Sequence, residues 1–513
     1  MREKRSFRPI LILWLSWGLL IIGFQKVVAA RLDLRVPDTV LDWTAGETTP
    51  GAYDRQPYLL ETFLNQQVAY DSEFYLSIAV NGYNDPTLRA VWADPKNPQP
   101  IWNQYPQPFG IPGDFADGRP YGIPASFQGY SLNYAFFPFY PLAIRAFSIP
   151  LNVVGLNRIA TATLAGVIIS LLGALGAMLA LFDLTRDDLD NSGGLRTAFY
   201  LIAFPTGFFL AMVHTEGLFV GLAFGSLALL RRRQWIGASI LAACATLTRA
   251  VGGALFIPLG IAWMAEAVPY FQSRWTGGKK EDAAPAKPRL DLLWKGVLAL
   301  SPLLAFTLWY MLLGNQFRIV EAVFFSRGAL AVERSWRAWV DVFRSLFDAG
   351  KQSIATNSGY GMILLTVLLA VKAFFRERLA ITLPKAVLTA GNILLIVLAA
   401  VLVYSWWTGT SNEQRSFYYM VEFSATILAV TACAFTLRAQ PGLALFSLAV
   451  VVISFFSGGP QGMQRYILGA PAVFIMLGHL GKSDEAFDRS WTIGSVLLMG
   501  LFALLFAFNF WVG

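Results

Sequence analysis

The sequence predicts an all-α polytopic membrane protein, and three observations lead there. Of 513 residues, 56% are hydrophobic and 14% charged, with a mean hydropathy of +0.52, so most of the chain must be solvated by something other than water. Apolar runs recur along the whole length, many near the roughly 20 residues that cross bilayer hydrocarbon. The net charge of +8 comes from Lys and Arg gathered in short links between those runs, as in cytoplasmic loops, which argues against a nucleic-acid partner. Cys244 and Cys433 lie inside apolar runs and read as small core residues.

Residues 1–30 pair a basic start with an apolar stretch and read as a membrane anchor with a cytoplasmic N-terminus. "VVAAR" offers small residues for cleavage, but continuous spans follow, so an uncleaved anchor is expected. Residues 31–150 form a long extracytoplasmic loop, rich in Pro, Gly, Asn and aromatics; a connection of that length marks function. Residues 151–313 hold a transmembrane core with two tight hairpins, 314–358 a second extracytoplasmic amphipathic loop, and 359–513 the C-terminal transmembrane helices. The apolar runs include 160–182, 198–213, 218–230, 236–247 and 251–264. With the anchor they amount to roughly thirteen crossings. Threading from an inside N-terminus puts Arg231 to Arg233, Lys279, Lys280, Arg376, Arg378, Lys385, Arg438 and Lys482 on the cytoplasmic side.

The hairpin arms are short, so their outer tips, His214-Thr215-Glu216 and Leu247-Thr248-Arg249, are expected below the outer surface. Polar groups at membrane depth are costly unless they line a wet cavity or pair, which makes Glu216 and Arg249 site candidates. A buried ion pair bracing the hairpins is the structural alternative.

Chemistry concentrates in "YDSEFYLSIAVNGY", Tyr70 to Tyr83. Phe74, Tyr75, Ile78 and Ala79 recur at helical spacing, Asn81-Gly82 supplies a stop, and Asp71 falls at the first turn. Asp71 there suits a helix cap or a base, and the two are compatible, because a helix N-terminus holds a carboxylate ionised. "NYAFFPFYPLAIR", Asn133 to Arg145, suits a bent segment at the membrane surface, with Arg145 snorkelling or binding phosphate. "NEQRSFYY" and "QGMQRYILGAPAVFI" place Arg415 and Arg465 at the starts of inward-going spans, as anion partners. The 314–358 loop carries Arg318, Arg327, Arg334, Arg337 and Arg344 among Glu321, Glu333 and Asp341, as a solvated amphipathic helix does. "DLD", Asp188 to Asp190, reads as a solvated turn. "HTE" lacks the Pro-Cys-x-x-Cys of zinc deaminases. Asp71 and Glu73 are close enough in sequence to share one divalent cation, but no ligand cluster stands out, and neither metal nor cofactor is expected.

Taken in order, "YDSEFYLSIAVNGY", "FFPFYPLAIR", "FPTGFFLAMVHTEGLFVGLAFGSLALLRRRQWIGASILAACATLTRAVG" and "QRYILGAPAVFIML" resemble the PIG-V family of mannosyltransferases, within the GT-C superfamily of membrane glycosyltransferases. The resemblance spans most of the chain. It implies a GT-C-like fold, a catalytic acid in the first outer loop, and a polyprenyl-phosphate sugar as donor. By that resemblance Asp71 matches the family's catalytic acid, Phe137, Pro138, Tyr140 and Pro141 match F-P-x-Y-P, and Glu216 matches the S/T-E opening the next hairpin. Tyr70 stands where the family often has Trp, Ala250 replaces the usual Pro after the arginine of "LTR", and the stretch 84–135 is much longer than in the family.

The expected reaction moves a sugar, mannose by the resemblance, to a hydroxyl of a glycan, glycolipid or protein on the extracytoplasmic side, with inversion. Asp71 is the base; Arg465, then Arg249, Arg415 and Arg145, hold the departing phosphate; Glu216, Glu73, Tyr75, Tyr83, Tyr140 and Tyr466 bind or orient substrate. The absence of any Asn-x-Ser/Thr leans toward a prokaryotic cytoplasmic membrane. Two other classes fit the same composition. A transporter or flippase of a lipid-linked sugar would spread its polar groups about a midplane. A scaffold subunit would tolerate loss of Asp71.

Overall fold

The computed structural model describes residues 7–33, 56–88, 90–96, 124–275, 290–324, 411–456 and 461–513, with isolated positions between 38 and 53 and short helical stretches between 336 and 404. The described residues are mostly helical. α1 is Arg8–Arg31, α2 Ser72–Val80, α3 Phe139–Leu151, α4 Arg158–Ile202, α5 Thr215–Arg231, α6 Trp235–Thr248, α7 Phe256–Trp275, α8 Leu290–Ala299, α9 Ser301–Phe324, α10 Ser411–Thr436, α11 Pro441–Phe455, α12 Pro471–Ser483 and α13 Glu485–Ala507. β1 (Ala90–Ala93) pairs antiparallel with β2 (Gln128–Ser131), Ala90 opposite Ser131. This ladder closes the base of the insertion, which sequence reading left without structure; 97–123 lies outside the described residues.

Among the described residues five helices are long and apolar enough to cross a membrane: Arg8–Arg31, Arg158–Ile202, Ala250–Tyr270, Tyr418–Thr436 and Glu485–Ala507. The pair Leu290–Ala299 and Ser301–Gly314, bent by 50°, makes a sixth if it is one span. The chain is an integral membrane protein. The expected roughly thirteen crossings also counted runs that the structure divides. α4 holds the run 160–182 and the start of the run 198–213, and its helical backbone breaks between them at Asp190, where φ is 57° and ψ −176°. That helix stops at Ile202, ahead of Pro205, because the residue before a proline is pushed out of the helical region. The chain then takes a 3-10 turn, Gly207–Ala211. Similar turns, Ala250–Leu255 and Ile467–Gly469, interrupt the runs 251–264 and 466–480. At 17 and 14 residues, α5 and α6 measure about 25 and 21 Å, short of the roughly 30 Å of hydrocarbon. At the α5 tip His214, Thr215 and Glu216 are all buried.

Glycine permits a close crossing of α4 and α5. A Cβ on Gly217 of α5 would lie 2.4 Å from the Ser170 carbonyl of α4, and one on Gly173 would lie 2.2 Å from the Gly217 carbonyl. Only bare backbone permits that approach, and small residues serve it wherever apolar surroundings give helices no hydrophobic drive to associate. The crossing buries Thr215 and Glu216 at the α5 N-terminus. Tyr140 docks α3 onto the same stretch of α4, its hydroxyl 3.0 Å from Ser170 Oγ and 3.2 Å from the Gly166 carbonyl.

At the other end of α5 the charges gather. Arg232 pairs with Asp183 at 2.6 Å, Arg231 with Asp187 at 3.0 Å, and Lys482 with Asp190 at 2.9 Å. Asp190 also accepts from the Ser192 and Gly193 amides. The acidic turn is therefore a helix cap held by a lysine across the kink, on the end of the bundle that carries the basic links.

Candidate active site

Four charged side chains meet at the hairpin tips, drawn from four distant parts of the chain. Asp71 precedes α2, Glu216 opens α5, Arg249 follows α6 and Arg465 lies in the single turn Met463–Tyr466. Arg249 Nη1 donates to Glu216 Oε1, and to Thr215 Oγ1 at 3.4 Å. Arg465 Nε lies 3.3 Å from the same Glu216 oxygen, near enough for an ion pair, and its Nη2 lies 3.9 Å from Asp71 Oδ2. Glu216 thus sits between two guanidiniums, and Arg465 between two carboxylates. Tyr466 inserts its ring between the arginines, 5.1 Å from the Arg249 guanidinium and 5.2 Å from that of Arg465.

Burial differs sharply within the quartet. The Glu216 and Arg465 side chains are 4% and 6% exposed, whereas Arg249 is 21% and Asp71 38% exposed. Glu216 and Arg465 form the more buried pair, and Arg249 and Asp71 the more exposed one.

Asp71 occupies the N-cap position of α2 but makes no capping hydrogen bond with its side chain. Tyr70 beside it has φ of 48°, a left-handed conformation that costs a bulky residue about 1–3 kcal/mol. Its hydroxyl donates to the Asn509 carbonyl and its ring meets Trp511 edge-on at 5.0 Å. One residue later, Ser72 Oγ donates to the Val213 carbonyl at 2.9 Å, and the Val213 amide donates to the Gln67 carbonyl at 3.0 Å. The segment 67–72 is therefore stitched to the stretch of chain that leads into Glu216.

The remaining sequence candidates divide. Tyr75, one helical turn past Asp71, is buried and packs edge-on against Phe136, Tyr140 and His214, so it backs the site. Glu73 is buried at the same helix start. Tyr140 supports Tyr75 from behind. Tyr83 lies past the far end of α2, its hydroxyl donating to the Phe136 carbonyl at 2.9 Å, and does not join the quartet. Arg145 neither snorkels nor faces the site: it donates to the Ala79 and Ile78 carbonyls at 2.7 and 3.0 Å, closing the C-terminal end of α2. Carbonyls at a helix C-terminus carry partial negative charge, which is why a cation settles there. Arg415 falls within α10, with its side chain outside the described residues. Arg327, Arg334 and Arg344 are likewise outside them.

Sequence reading missed Glu422 and Tyr418. Glu422, fully buried in α10, accepts the Gly462 amide at 2.9 Å and the Gln464 amide at 2.8 Å. The Gly462 amide also donates to the Tyr418 hydroxyl, 3.1 Å away. A carboxylate thus pins the turn that presents Arg465. Its signal was available: a lone acid in "YYMVEFSATILAV" is costly within a span and marks a function. His214 was set aside with "HTE", yet it is 1% exposed, boxed by Phe209, Phe506 and Tyr75, with Nδ1 4.0 Å from Glu216.

No group of three or more metal-ligating side chains forms among the described residues. A cavity of about 130 Å³ opens beside the Arg465 turn, lined by Thr206 and Gln464 at one end and by Leu369, Leu398, Val421 and Leu428.

No family model and no curated protein matches the chain by sequence. Among solved structures it is similar to the apo crystal structure of ArnT from Cupriavidus metallidurans, with 15% identity over 89% of this chain and 77% of that one; the TM-score is 0.32, too low for the likeness to carry an argument.

Proposed function

We propose that the protein is a GT-C-like membrane glycosyltransferase that takes a sugar, mannose by the PIG-V resemblance, from a polyprenyl phosphate and passes it to a hydroxyl acceptor outside the cytoplasmic membrane. The observation that carries this is the Asp71–Arg465–Glu216–Arg249 quartet: a partly exposed carboxylate beside one guanidinium, which shares a buried glutamate with a second. Such a site supplies the two things this transfer needs. Phosphate is a good leaving group and needs charge stabilisation more than protonation, so one base and fixed cations suffice.

In this reading the acceptor hydroxyl gives its proton to Asp71 while its oxygen bonds to the anomeric carbon. The bond from that carbon to the phosphate oxygen breaks on the opposite face, and the electron pair leaves on the phosphate, so the configuration inverts. Arg249 meets the departing charge first. Arg465, held by Glu216, offsets the charge of Asp71. The apolar cavity beside Gln464 and Thr206 supports a lipid carrier. Engineered apolar cavities of roughly 150 Å³ admit benzene, so this one takes a short piece of a branched chain, with the rest lying among the helices.

The test uses purified protein in liposomes with radiolabelled polyprenyl-phosphate mannose, with and without a membrane-lipid extract as acceptor source. Label moving from the donor to a new product supports the reading. Label crossing the bilayer still attached to its lipid would make the protein a transporter instead.

A further inference from the structure

We infer that Trp511 is a positioning residue that sets the spacing between Asp71 and Arg465. This rests on the transferase reading for its consequence, though not for its geometry. The Asp71 and Arg465 side chains are 3.9 Å apart, beyond hydrogen-bond reach. Their spacing therefore depends on whatever ties together the two loops that carry them.

The segment 509–512 touches both. On the Asp71 side, the Asn509 carbonyl accepts the Tyr70 hydroxyl, and the Trp511 ring meets the Tyr70 ring edge-on at 5.0 Å. On the Arg465 side, Trp511 Nε1 donates to the Tyr418 hydroxyl at 3.0 Å, and Gln464 Nε2 donates to the Val512 carbonyl at 2.8 Å. The Tyr418 hydroxyl in turn accepts the Gly462 amide, and the Arg465 amide donates to the Gly462 carbonyl at 2.9 Å. One indole thus contacts the residue before the acid and the residue that braces the arginine turn. The Trp511 amide, donating to Asp38 Oδ2 at 2.7 Å, anchors the indole's own backbone.

Backbone conformation points the same way. Tyr70 and Asn509, joined by a hydrogen bond, both lie in the left-handed region with φ of 48° and 64°. Non-glycine residues there persist where their surroundings hold them. Here those surroundings include each other and Trp511.

The test compares Trp511→Ala, Trp511→Phe and Tyr418→Phe in the full chain in lipid. The first readout is amide exchange in segments 70–75 and 461–466, which needs no turnover. Trp511→Ala should speed exchange in both segments together, by about fivefold or more. Trp511→Phe keeps a ring against Tyr70 but loses the N–H, and should loosen 461–466 while leaving 70–75 within about twofold of wild type, as should Tyr418→Phe. Change in only one segment for Trp511→Ala, or in neither, would overturn the inference. The second readout is transfer kinetics. A misplacement near 1 Å costs up to about a hundredfold, so kcat should fall by about tenfold or more in Trp511→Ala, with KM for polyprenyl-phosphate mannose within about threefold and partial recovery in Trp511→Phe. An unchanged kcat, or a rise confined to KM, would overturn it. An inert wild type would count against the transferase reading, while the exchange result would still decide the lock.

Discussion

Arg465 stands between two carboxylates that come from opposite halves of the site, 3.3 Å from Glu216 and 3.9 Å from Asp71. Because Glu216 also holds Arg249, the two arginines depend on one buried acid for their placement, and the exposed Asp71 depends on Arg465 for its nearest countercharge.

Glu216 is the first consequence. Removing one partner of a buried ion pair leaves an uncompensated charge and typically costs about 3–5 kcal/mol. Glu216→Gln should lower the thermal unfolding midpoint in detergent sharply. Pairing it with Arg249→Met should recover part of that loss, so the double-mutant cycle should show a coupling of at least about 1 kcal/mol. Additive effects would mean the two side chains do not interact.

Glu422 acts one step further out. Its carboxyl group accepts two backbone amides at the turn before Arg465, and a hydrogen bond of this kind contributes about 0.5–1.5 kcal/mol. Glu422→Gln should reduce kcat by about tenfold or more through misplacement of Arg465, with protein still recovered in folded form. Equal turnover would reduce Glu422 to packing.

The helix crossing gives a control on packing alone. Gly217→Ala puts a methyl group 2.4 Å from the Ser170 carbonyl, and overpacking typically costs about 1–3 kcal/mol. Gly23→Ala in α1, where a Cβ meets nothing within 4 Å, should leave the midpoint unchanged or slightly raised. Equal stability of the two variants would remove the close crossing as a source of stability.

The segment 56–88 should respond to pH through one knot. Asp85 Oδ2 accepts from the Tyr58 hydroxyl, from Ser77 at 2.8 Å and from Asn81 at 3.2 Å, while Oδ1 accepts the Thr87 amide at 2.9 Å. Burial alone would raise the Asp85 carboxyl, but hydrogen bonds from Tyr58, Thr87 and Ser77 outweigh it and hold the group below its ordinary 3.8. Burial, then the bond to Asp85, pushes the Tyr58 phenol from 10.0 up to about 12. A lowered acid stabilises above its unfolded pKa and loses that stability as pH falls through the folded value. A raised phenol stabilises below its unfolded pKa and loses it as pH rises through the folded value. Amide exchange in 76–88 should therefore be flat from about pH 4 to about pH 10 after correction for intrinsic rates, and should accelerate below and above that window. Asp85→Asn should abolish the acid limb; an acid limb that survives would assign it elsewhere.

Much of this was legible in the residues, and what was not had a physical reason. Phe74, Tyr75, Ile78 and Ala79 with the Asn81-Gly82 stop predict α2 as found, because a short amphipathic period with a stop is a local signal. The meeting of Glu216 and Arg249 follows from short hairpin arms and the cost of leaving either alone. The 3-10 turns at Gly207–Ala211, Ala250–Leu255 and Ile467–Gly469 escaped because their composition stays apolar through the break, so hydropathy sees an uninterrupted span. Arg145 was misjudged because its partners are backbone carbonyls of α2, which carry no sequence signal. Trp511 owes its part to contacts with Tyr70 and Tyr418, hundreds of residues distant, and no local pattern encodes those.

The central claim is that Asp71 is the base, and the direct measurement is single-turnover sugar transfer by wild type and Asp71→Asn, both purified in lipid, with donor binding followed in parallel. The account predicts loss of transfer by at least about a hundredfold, with polyprenyl-phosphate mannose bound within about threefold of wild type. Transfer at near wild-type rate in Asp71→Asn would contradict it and return the residue to a helix-terminus role.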